Sequence, residues 1–169
     1  MKSFSTVDPR ALTDNPFSLI GNEWMLITAG NGTHCNTMTA SWGGVGVLWN
    51  LPVAFSFVRP QRYTYEFMEQ ADTYSLSFLP EEYRPALRYC GSHSGRDGDK
   101  FAAAGLSVVY ENGTPCIEQA RLILCCRKLH TVDFTPEQFA DSTLLTHYKA
   151  NDFHRQYIGE IVQVLKEQP

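Results

Sequence analysis

The sequence predicts a mainly β fold, an antiparallel barrel with a few short helices. Apolar segments typical of strands recur along the 169 residues, and two of them run into the pairs Asn31-Gly32 and Asn112-Gly113, which favour tight hairpin turns. Long helical patterns never alternate with these segments, which disfavours a parallel sheet. Six or more strands joined by hairpins can close into a barrel without a free edge. The length is typical of one domain, and we expect residues 1–169 to form a single unit with its core at about 24–165.

Each predicted strand is an apolar or alternating segment between turn residues. The predicted strands are Trp24–Ala29, Cys35–Trp42, Val53–Val58, Thr73–Phe78, Leu106–Tyr110, Ile117–Lys128 and Ile158–Leu165. Pro52 and Pro60 bound the third of them. In the fourth, Tyr74, Leu76 and Phe78 alternate with polar residues, the pattern of a half-buried strand. Asn112-Gly113 is expected to join the fifth strand to the sixth.

Helical signals are fewer and shorter than strand signals. The predicted helical segments are Tyr65–Met68, Glu81–Tyr89, Asp97–Ala104 and the single turn Pro136–Phe139. Thr64 precedes the first and could cap it through its hydroxyl. Asp97 or Asp99 could cap the third, and Gly105 is placed to end it.

Composition excludes several classes of protein. Fourteen Lys and Arg against eighteen Asp and Glu give a net charge of −4, with no basic block that could neutralise a nucleic-acid backbone. The apolar runs are far shorter than the roughly 20 residues of a membrane span. Met1–Ile20 contains charged and proline residues and lacks the apolar stretch of a secretory signal. We therefore expect a soluble cytoplasmic protein.

Two further features of the composition concern redox state and assembly. The five cysteines are odd in number and form no C-x-x-C pair, which favours reduced thiols packed mostly in the core. Charged residues are 19% of the chain and aromatic residues 12%. A low charge content with many rings favours partial coverage of the surface by a second copy, so we expect a homodimer.

Nucleotide and metal motifs are weak. Trp42-Gly43-Gly44-Val45-Gly46 is rich in glycine but matches neither dinucleotide nor P-loop spacing, and its glycines favour a bulge or bend between strands. Cys90 and His93 have C-x-x-H spacing, and Cys125-Cys126 precede His130. A structural zinc site usually needs four ligands in two pairs, so no metal site is predicted.

Polar residues cluster at three places that could bind a ligand. Asn36–Trp42 places hydroxyl and amide groups along one strand, which could be a binding row or only a solvated face. Arg59–Thr64 places two guanidinium groups before a helix start, where an anion is favoured, although loop arginines are also common on surfaces. Ser94–Phe101 is a glycine-flanked loop in which Lys100 could reach outward, or it could be simply solvated. His154 precedes the last strand and could be structural or could donate hydrogen bonds.

These clusters together resemble the flavin reductase-like, flavoredoxin-type family. The resemblance rests on N-T-M-T-A-S-W at 36–42, V-R-P-Q-R-Y-T at 58–64, S-G-R-D-G-D-K-F at 94–101 and H-x-x-Y-I-G-E-I at 154–161. It extends from about Trp24 to Val164. The resemblance implies an FMN-binding split β-barrel, with FMN as cofactor, and a homodimer with flavin sites near the subunit interface.

The resemblance also implies roles for individual residues. Those implied to lie along the flavin are Asn36, Thr37, Met38, Thr39, Ala40, Ser41 and Trp42, with Thr37 and Thr39 near the ring. Those implied to hold the phosphate or ribityl chain are Arg59, Arg62, Tyr63 and Thr64. Those implied to form a loop over the cofactor are Ser94, Gly95 and Lys100. His154 is the implied catalytic residue, in a stretch that has Asn151-Asp152-Phe153-His154 where relatives have Gly-Asp-His.

Three functions remain open from the sequence. The leading hypothesis is an FMN-dependent oxidoreductase that takes electrons from NADH or NADPH and reduces a flavin or another small acceptor. NAD(P)H would then bind transiently over the flavin, because no dinucleotide fold is encoded. The second is an FMN-binding electron carrier reduced by a redox protein partner. The third is a non-enzymatic barrel for another phosphate-bearing small molecule.

Overall fold

A computed structural model describes residues 3–168 and contains ten strands in that range. The strands are β1 (Phe4–Val7), β2 (Met25–Asn31), β3 (His34–Ala40), β4 (Gly43–Leu48), β5 (Leu51–Val58), β6 (Thr73–Phe78), β7 (Val108–Glu111), β8 (Thr114–Ile117), β9 (Leu122–Asp133) and β10 (Arg155–Glu167). The predicted strand Thr73–Phe78 is confirmed, and it begins and ends at the predicted residues. The glycines of Trp42–Gly46 were predicted to bend the chain, but 43–46 lie inside β4 instead, because the strand pairs with β5 throughout.

The helices are short and connect the strands. They are α1 (Pro16–Ser18), α2 (Tyr63–Gln70), α3 (Arg84–Ser92) and α4 (Lys100–Ala104). Single turns of 3-10 helix lie at Pro9–Ala11, Glu81–Tyr83 and Pro136–Gln138, a longer one spans Ser142–Tyr148, and a π-helical turn covers Leu19–Glu23. None of the helices within residues 3–168 has the length and apolar character needed to cross a bilayer.

Eight strands form one antiparallel sheet that curls into a split barrel. The order of hydrogen-bonded neighbours is β3-β2-β6-β9-β10-β5-β4, and β1 pairs with the end of β10. Strand β10 pairs with β9 along most of its length and with β5 only from Arg155 to Glu160. The mainly β antiparallel prediction is confirmed. The expectation of a barrel without free edges is wrong for the described residues, since the series of strand pairs ends at β3 and β4.

The central strands are buried on both faces because two cores lie against the sheet. Alternate residues of β2 separate into them: Met25 and Ile27 belong to the inner core, and Leu26 packs in the outer one with Leu87 of α3. In β6 the polar residues Ser75 and Ser77 are fully buried as well. The prediction of a half-buried β6 is therefore wrong, because the small β7–β8 sheet and α3 cover the face that was expected to be solvated.

The two Asn-Gly pairs form different turns. Asn112 and Gly113 have φ angles of 48° and 82°, the left-handed conformations that a tight two-residue hairpin requires. Their hairpin joins β7 to the short β8, and the predicted partner Ile117–Lys128 belongs mostly to β9 in the large sheet. The β2–β3 turn is instead centred on Gly32-Thr33. There Asn31 Oδ1 accepts hydrogen bonds from the Thr33 and His34 amides and shifts the turn by one residue.

Candidate functional site

Two clefts meet at Arg62 and collect most of the predicted site residues. The cation cleft, of about 280 Å³, is lined by the predicted residues Asn36, Arg62, Tyr63, Thr64, Ser94 and Lys100. The histidine cleft, of about 190 Å³, is lined by the predicted residues Met38, Thr39, Ala40, Ser41, Trp42, Arg59, Arg62 and His154. Thr39 of the hydroxyl-rich strand and Arg62 of the arginine loop thus share one cleft, as the sequence predicts.

The cation cleft contains two half-buried or buried positive charges without acidic partners. Lys100 is 4% exposed, and its Nζ donates to the Thr37 carbonyl at 2.8 Å. The Arg62 guanidinium donates to the Cys90 carbonyl at 3.2 Å. Within residues 3–168, neither side chain forms an ion pair with a carboxylate. Burial lowers the pKa of Arg62 and lowers the pKa of Lys100 from 10.5 to about 8, because each desolvated cation lacks a compensating anion.

The start of α2 adds backbone donors to the same cleft. Arg62 is the N-cap residue, so the first free amide groups of the helix belong to the turn that lines the cleft. Thr64 was predicted to cap a helix starting at Tyr65, but the helix begins at Tyr63 and the Thr64 hydroxyl accepts a hydrogen bond from Asn36 Nδ2 at 2.9 Å instead. This bond fixes the helix start against β3. The amides at the start of α2 and the two cations suit an anion.

The loop at 94–99 packs over the start of α2. A Cβ on Gly95 would overlap the Asn36 Oδ1 atom and crowd the Tyr63 ring, so only glycine allows this approach. Arg96 lies over the Tyr63 ring at 4.6 Å and pairs with Glu66 one turn into α2. The loop ends at Asp99, whose carboxylate accepts from the Ala102 amide and caps α4, as predicted. Helix α4 in turn places Lys100 in the cleft.

The histidine cleft is aromatic and contains a neutral imidazole. His154 is 8% exposed, and its Nδ1 is 2.8 Å from the Tyr148 hydroxyl. Its ring centroid lies 5.4 Å from that of Trp42 and 6.3 Å from that of Phe57. Burial, with a smaller contribution from the positive charge of Arg59, lowers the pKa of His154 from 6.5 to about 4. The imidazole is therefore uncharged at neutral pH.

Arg59 lines the histidine cleft, but its charge is already compensated. Its Nη1 pairs with Asp152 at 2.5 Å, its Nη2 donates to the His147 carbonyl, and its guanidinium lies 5.1 Å from the Tyr148 ring. The hydrogen bond from Arg59 holds the pKa of Asp152 below its usual value, and Gln61 donates to the same carboxylate oxygen. Arg59 thus fixes the segment that carries Tyr148 and His154, whereas Arg62 has its charge free.

Two predicted residues lie outside these clefts, and several lining residues were not predicted. The Thr37 side chain is fully buried and its hydroxyl bonds to Thr28 Oγ1 and the Ile27 carbonyl, so only its backbone carbonyl reaches the site. Gly95 lines a neighbouring cleft. The lining residues that sequence reasoning missed are Gln61, Gly91, Ser92, His93 and Phe57. His93 carried only a weak metal-like spacing, and among residues 3–168 no cluster of three or more His, Cys, Asp or Glu side chains could hold a metal ion.

The two clefts together fit a ligand that is anionic at one end and flat at the other. Strand β3 runs past both, with Asn36 in the cation cleft and Met38–Ala40 in the histidine cleft. Thr39 Oγ1 donates to the Leu87 carbonyl at 2.5 Å, which holds β3 against α3. The site therefore offers cations and helix amides for an anion in the cation cleft. Backbone and polar side chains of β3 follow, and the histidine cleft adds an aromatic surface.

Comparison with known proteins gives one family and a set of similar folds. The family described as flavin reductase like domain matches residues 17–169. No curated protein matches the chain in sequence. A flavoredoxin from Methanosarcina acetivorans has a TM-score of 0.69 and 24% identity, over 86% of this chain and 69% of that one.

Two further solved structures are similar in fold. An FMN-binding protein from Thermus thermophilus, with bound 1-cyclohex-2-enone, has a TM-score of 0.67 and 23% identity over 99% of this chain and 81% of that one. An NADH:FAD oxidoreductase from Streptomyces globisporus C-1027, in complex with NAD and FAD fragments, has a TM-score of 0.65 and 20% identity over 96% of this chain and 86% of that one.

Proposed function

Because the chain belongs to the flavin reductase-like family, matched over residues 17–169, we propose that it is an FMN-binding oxidoreductase. It takes electrons from NADH or NADPH and passes them to a flavin or another small acceptor. FMN is the cofactor, and the nicotinamide is a transient donor. The whole chain, residues 1–169, acts as one domain.

The observation that carries this proposal is the pair of unpaired cations beside an aromatic cleft. Among residues 3–168, the side chains of Arg62 and Lys100 donate to backbone carbonyls alone, and burial lowers the pKa of both. A phosphate dianion would compensate both charges and would accept from the first amides of α2. A monophosphate attached to a flat ring system matches the two connected clefts in charge and in shape.

Each part of FMN has a set of residues to hold it. Arg62, Lys100 and the start of α2 would hold the phosphate. The polar edge of β3, with Asn36 at one end and Thr39 at the other, would accept or donate to the ribityl chain and the pyrimidine edge of the ring. Trp42 and the other aromatic residues of the histidine cleft would contact the apolar part of the ring.

Bound FMN supplies the exchange of two electrons at its ring, and the protein orients the ring and controls protons around it. His154 contributes a neutral imidazole at physiological pH, since its pKa is about 4. Where the Tyr148 hydroxyl donates to Nδ1, the imidazole proton lies on Nε2, so His154 donates one hydrogen bond without adding a charge. The Arg59–Asp152 pair fixes the segment that carries both residues.

The test is anaerobic mixing of the purified protein with FMN and with NADH or NADPH. We expect the visible absorbance of the flavin to bleach. The matched control is the Arg62→Ala variant at the same FMN concentration, which should bleach only in proportion to the FMN it still binds. If neither NADH nor NADPH bleaches the bound FMN, the proposal that the protein is an NAD(P)H-dependent reductase is wrong.

A second candidate function is that of an electron carrier reduced by a redox protein. It is favoured by the sequence, which contains no G-x-G-x-x-G turn or other dinucleotide module. Bleaching of bound FMN by a reduced ferredoxin-type protein, without bleaching by NADH or NADPH, would select this function.

We propose in addition that the protein acts in the cytoplasm as a homodimer. Charged residues are only 19% of the chain, and large apolar side chains are exposed next to the histidine cleft, with Phe17 85% and Trp42 46% exposed. These side chains line one further cleft, along β4, that a second copy would cover. Sedimentation at micromolar concentration should give about twice the mass of the chain, and the mass of a single chain would contradict the dimer.

A further inference from the structure

Two buried thiols lie in contact with each other outside both clefts. The Sγ atoms of Cys116 in β8 and Cys125 in β9 are 3.7 Å apart. The two residues are 0% and 2% exposed, and both pack in the outer core. Neither residue lines the cation cleft or the histidine cleft. The proposed function therefore makes no use of this pair.

The hydrogen bonds around the pair make the two thiols unequal. The Cys116 thiol donates to the Thr114 carbonyl at 3.5 Å, so the Cys125 thiol is the donor in the contact between the two sulfurs. That hydrogen bond lowers the pKa of Cys116 and raises the pKa of Cys125, because it stabilises a thiolate on Cys116 and holds the proton on Cys125. A thiolate beside a second thiol is the arrangement from which disulfides form.

The next residue in β9 shows that this contact is specific to Cys125. Cys126 follows Cys125 in the strand, so its side chain lies on the opposite face of the sheet, in the inner core. Its thiol donates to the Leu124 carbonyl at 3.8 Å. Among residues 3–168, Cys116 and Cys125 are the only two thiols that hydrogen-bond to each other.

The β7–β8 hairpin that carries Cys116 is separable from the large sheet. It forms a two-stranded sheet of its own, and within the described residues no strand pairing joins it to the eight-stranded sheet. Side chains provide the hydrogen bonds between them: Ser75 Oγ donates to the Pro115 carbonyl at 2.6 Å, and the Tyr110 hydroxyl donates to the Asn31 carbonyl at 3.0 Å. A unit attached in this way opens at a lower free energy than the central strands, and its opening would admit a small oxidant.

We infer that Cys116 and Cys125 form a dithiol site that hydroperoxides oxidise to an intrachain disulfide. The Cys116 thiolate attacks the O–O bond of hydrogen peroxide, which gives a sulfenic acid on Cys116 and releases hydroxide. The Cys125 thiol then attacks the Cys116 sulfur, the S–O bond breaks as the S–S bond forms, and the sulfenic oxygen leaves as water with the Cys125 proton. The hydroxide takes up the proton that Cys116 released. Two thiols and one peroxide thus give one disulfide and two waters.

The disulfide would join the hairpin covalently to β9, and a thiol reductant would reverse it. Disulfides that form in a reducing compartment are usually transient and redox-sensing, so the pair would report oxidant exposure in the cytoplasm proposed above. The two residues lie outside the proposed flavin site, and their oxidation does not depend on it.

The test is treatment of the full-length reduced protein with hydrogen peroxide, followed by blocking of free thiols, trypsin digestion without reductant and mass spectrometry. Cleavage at lysine and arginine leaves Cys116 in peptide 101–121 and Cys125 in peptide 122–127. We expect the two peptides to be linked, with a mass about 2 Da below their sum, because two hydrogens are lost. Dithiothreitol should separate them.

Two variants assign the bond to one sulfur of β9, since Cys125 and Cys126 share a peptide. Cys125→Ala should abolish the linked peptide and leave Cys116 as a sulfenic acid that dimedone labels. Cys126→Ala is the matched control, because it removes the adjacent buried thiol of the same strand and should keep the link. Circular dichroism checks that both variants are folded.

The possible outcomes separate this inference from the proposed function. Absence of the linked peptide from peroxide-treated wild-type protein would overturn the inference, and this result needs no variant to fold. A link that persists in Cys125→Ala would overturn it as well. Protein that forms the disulfide but binds no FMN would reject the proposed function and support the inference.

Discussion

Arg59 and Arg62 are three residues apart in one loop, yet their surroundings are opposite. Arg59 pairs with Asp152, donates to the His147 carbonyl and lies against the Tyr148 ring. Among the described residues, the Arg62 guanidinium donates only to the Cys90 carbonyl, and the charged side chains that act on it are the cations Arg59 and Lys100. The charge of Arg59 is thus compensated within the chain, whereas the charges of Arg62 and Lys100 are not compensated within the described residues.

The difference separates an arginine whose charge the chain already compensates from an arginine that, under the proposed function, binds the phosphate of FMN. A desolvated cation costs free energy unless an anion compensates it. At Arg59 the chain supplies that anion from a residue distant in sequence. At Arg62 and Lys100 the described part of the chain supplies none, and under the proposed function the phosphate of FMN would offset the cost. Each prediction below tests one side of this contrast.

The largest expected effect is the loss of FMN affinity in the Arg62→Ala variant. Loss of a charge-assisted hydrogen bond should weaken FMN by about 1.5–3 kcal/mol, which is roughly 10–150-fold in Kd. Riboflavin, which has no phosphate, should bind as before, so the preference for FMN over riboflavin should shrink. Calorimetric titration with both ligands measures this. An equal loss for both ligands would show that Arg62 does not contact the phosphate.

The next largest effect is the loss of folding stability in acid that follows from the neutral state of His154. Its pKa in the folded protein, about 4, lies below the unfolded value of 6.5, so protons favour the unfolded state. Its contribution is complete above about pH 6.5 and is lost as the pH falls through 4. We expect the wild-type protein to lose about 2 kcal/mol more than His154→Gln between pH 7 and 5. Urea unfolding at the two pH values measures this; parallel losses would mean that His154 is solvated.

Arg59→Ala should reverse the pattern of Arg62→Ala. Removing Arg59 leaves the Asp152 carboxylate with Gln61 as its remaining side-chain donor, so the free energy of unfolding should fall by about 1 kcal/mol. FMN affinity should change less than threefold, since the charge of Arg59 is already paired. Urea unfolding and FMN titration of the two variants, side by side, test the contrast. An FMN loss as large as that of Arg62→Ala would abolish the distinction between the two arginines.

The smallest effect is a dependence of FMN affinity on alkaline pH. Without ligand the pKa of Lys100 is about 8, and a bound phosphate would raise it, so binding takes up a proton above that pH. FMN affinity should therefore fall a few-fold between pH 7 and 9. Lys100→Met removes the titrating group and should give weaker but flatter binding over this range. A wild-type affinity independent of pH would place the phosphate away from Lys100.

The fold was predictable from the sequence where local signals decide, and wrongly predicted where distant contacts decide. Asn112-Gly113 adopts the turn that its dipeptide favours because nothing nearby competes. At Asn31-Gly32 the Asn31 side chain binds the amides that follow it and moves the turn along the chain. Strand β6 alternates as a half-solvated strand would, but a second layer, formed by elements from other parts of the chain, covers its polar face.

The candidate site also has features that the sequence predicts and features that depend on distant contacts. The sequence located the segments that line both clefts, because unusual clusters of polar side chains are visible without a structure. It could not tell Arg59 from Arg62, since the partner Asp152 is 93 residues away. Nor could it show that Thr64 binds Asn36, or that Thr37 turns its hydroxyl into the core. These details depend on which strand packs against which helix.

Because a buried and a half-buried cation share one cleft, we also expect the ligand-free protein to bind small oxyanions. Inorganic phosphate and sulfate carry the charge that the cleft lacks, so either ion in a purification buffer should occupy part of the site. Melting temperature should then rise with their concentration by mass action, and the apparent dissociation constant of a phosphorylated ligand should rise in step. Chloride at equal ionic strength should change both quantities less. A comparison of phosphate, sulfate and chloride buffers therefore tests whether the cleft binds oxyanions.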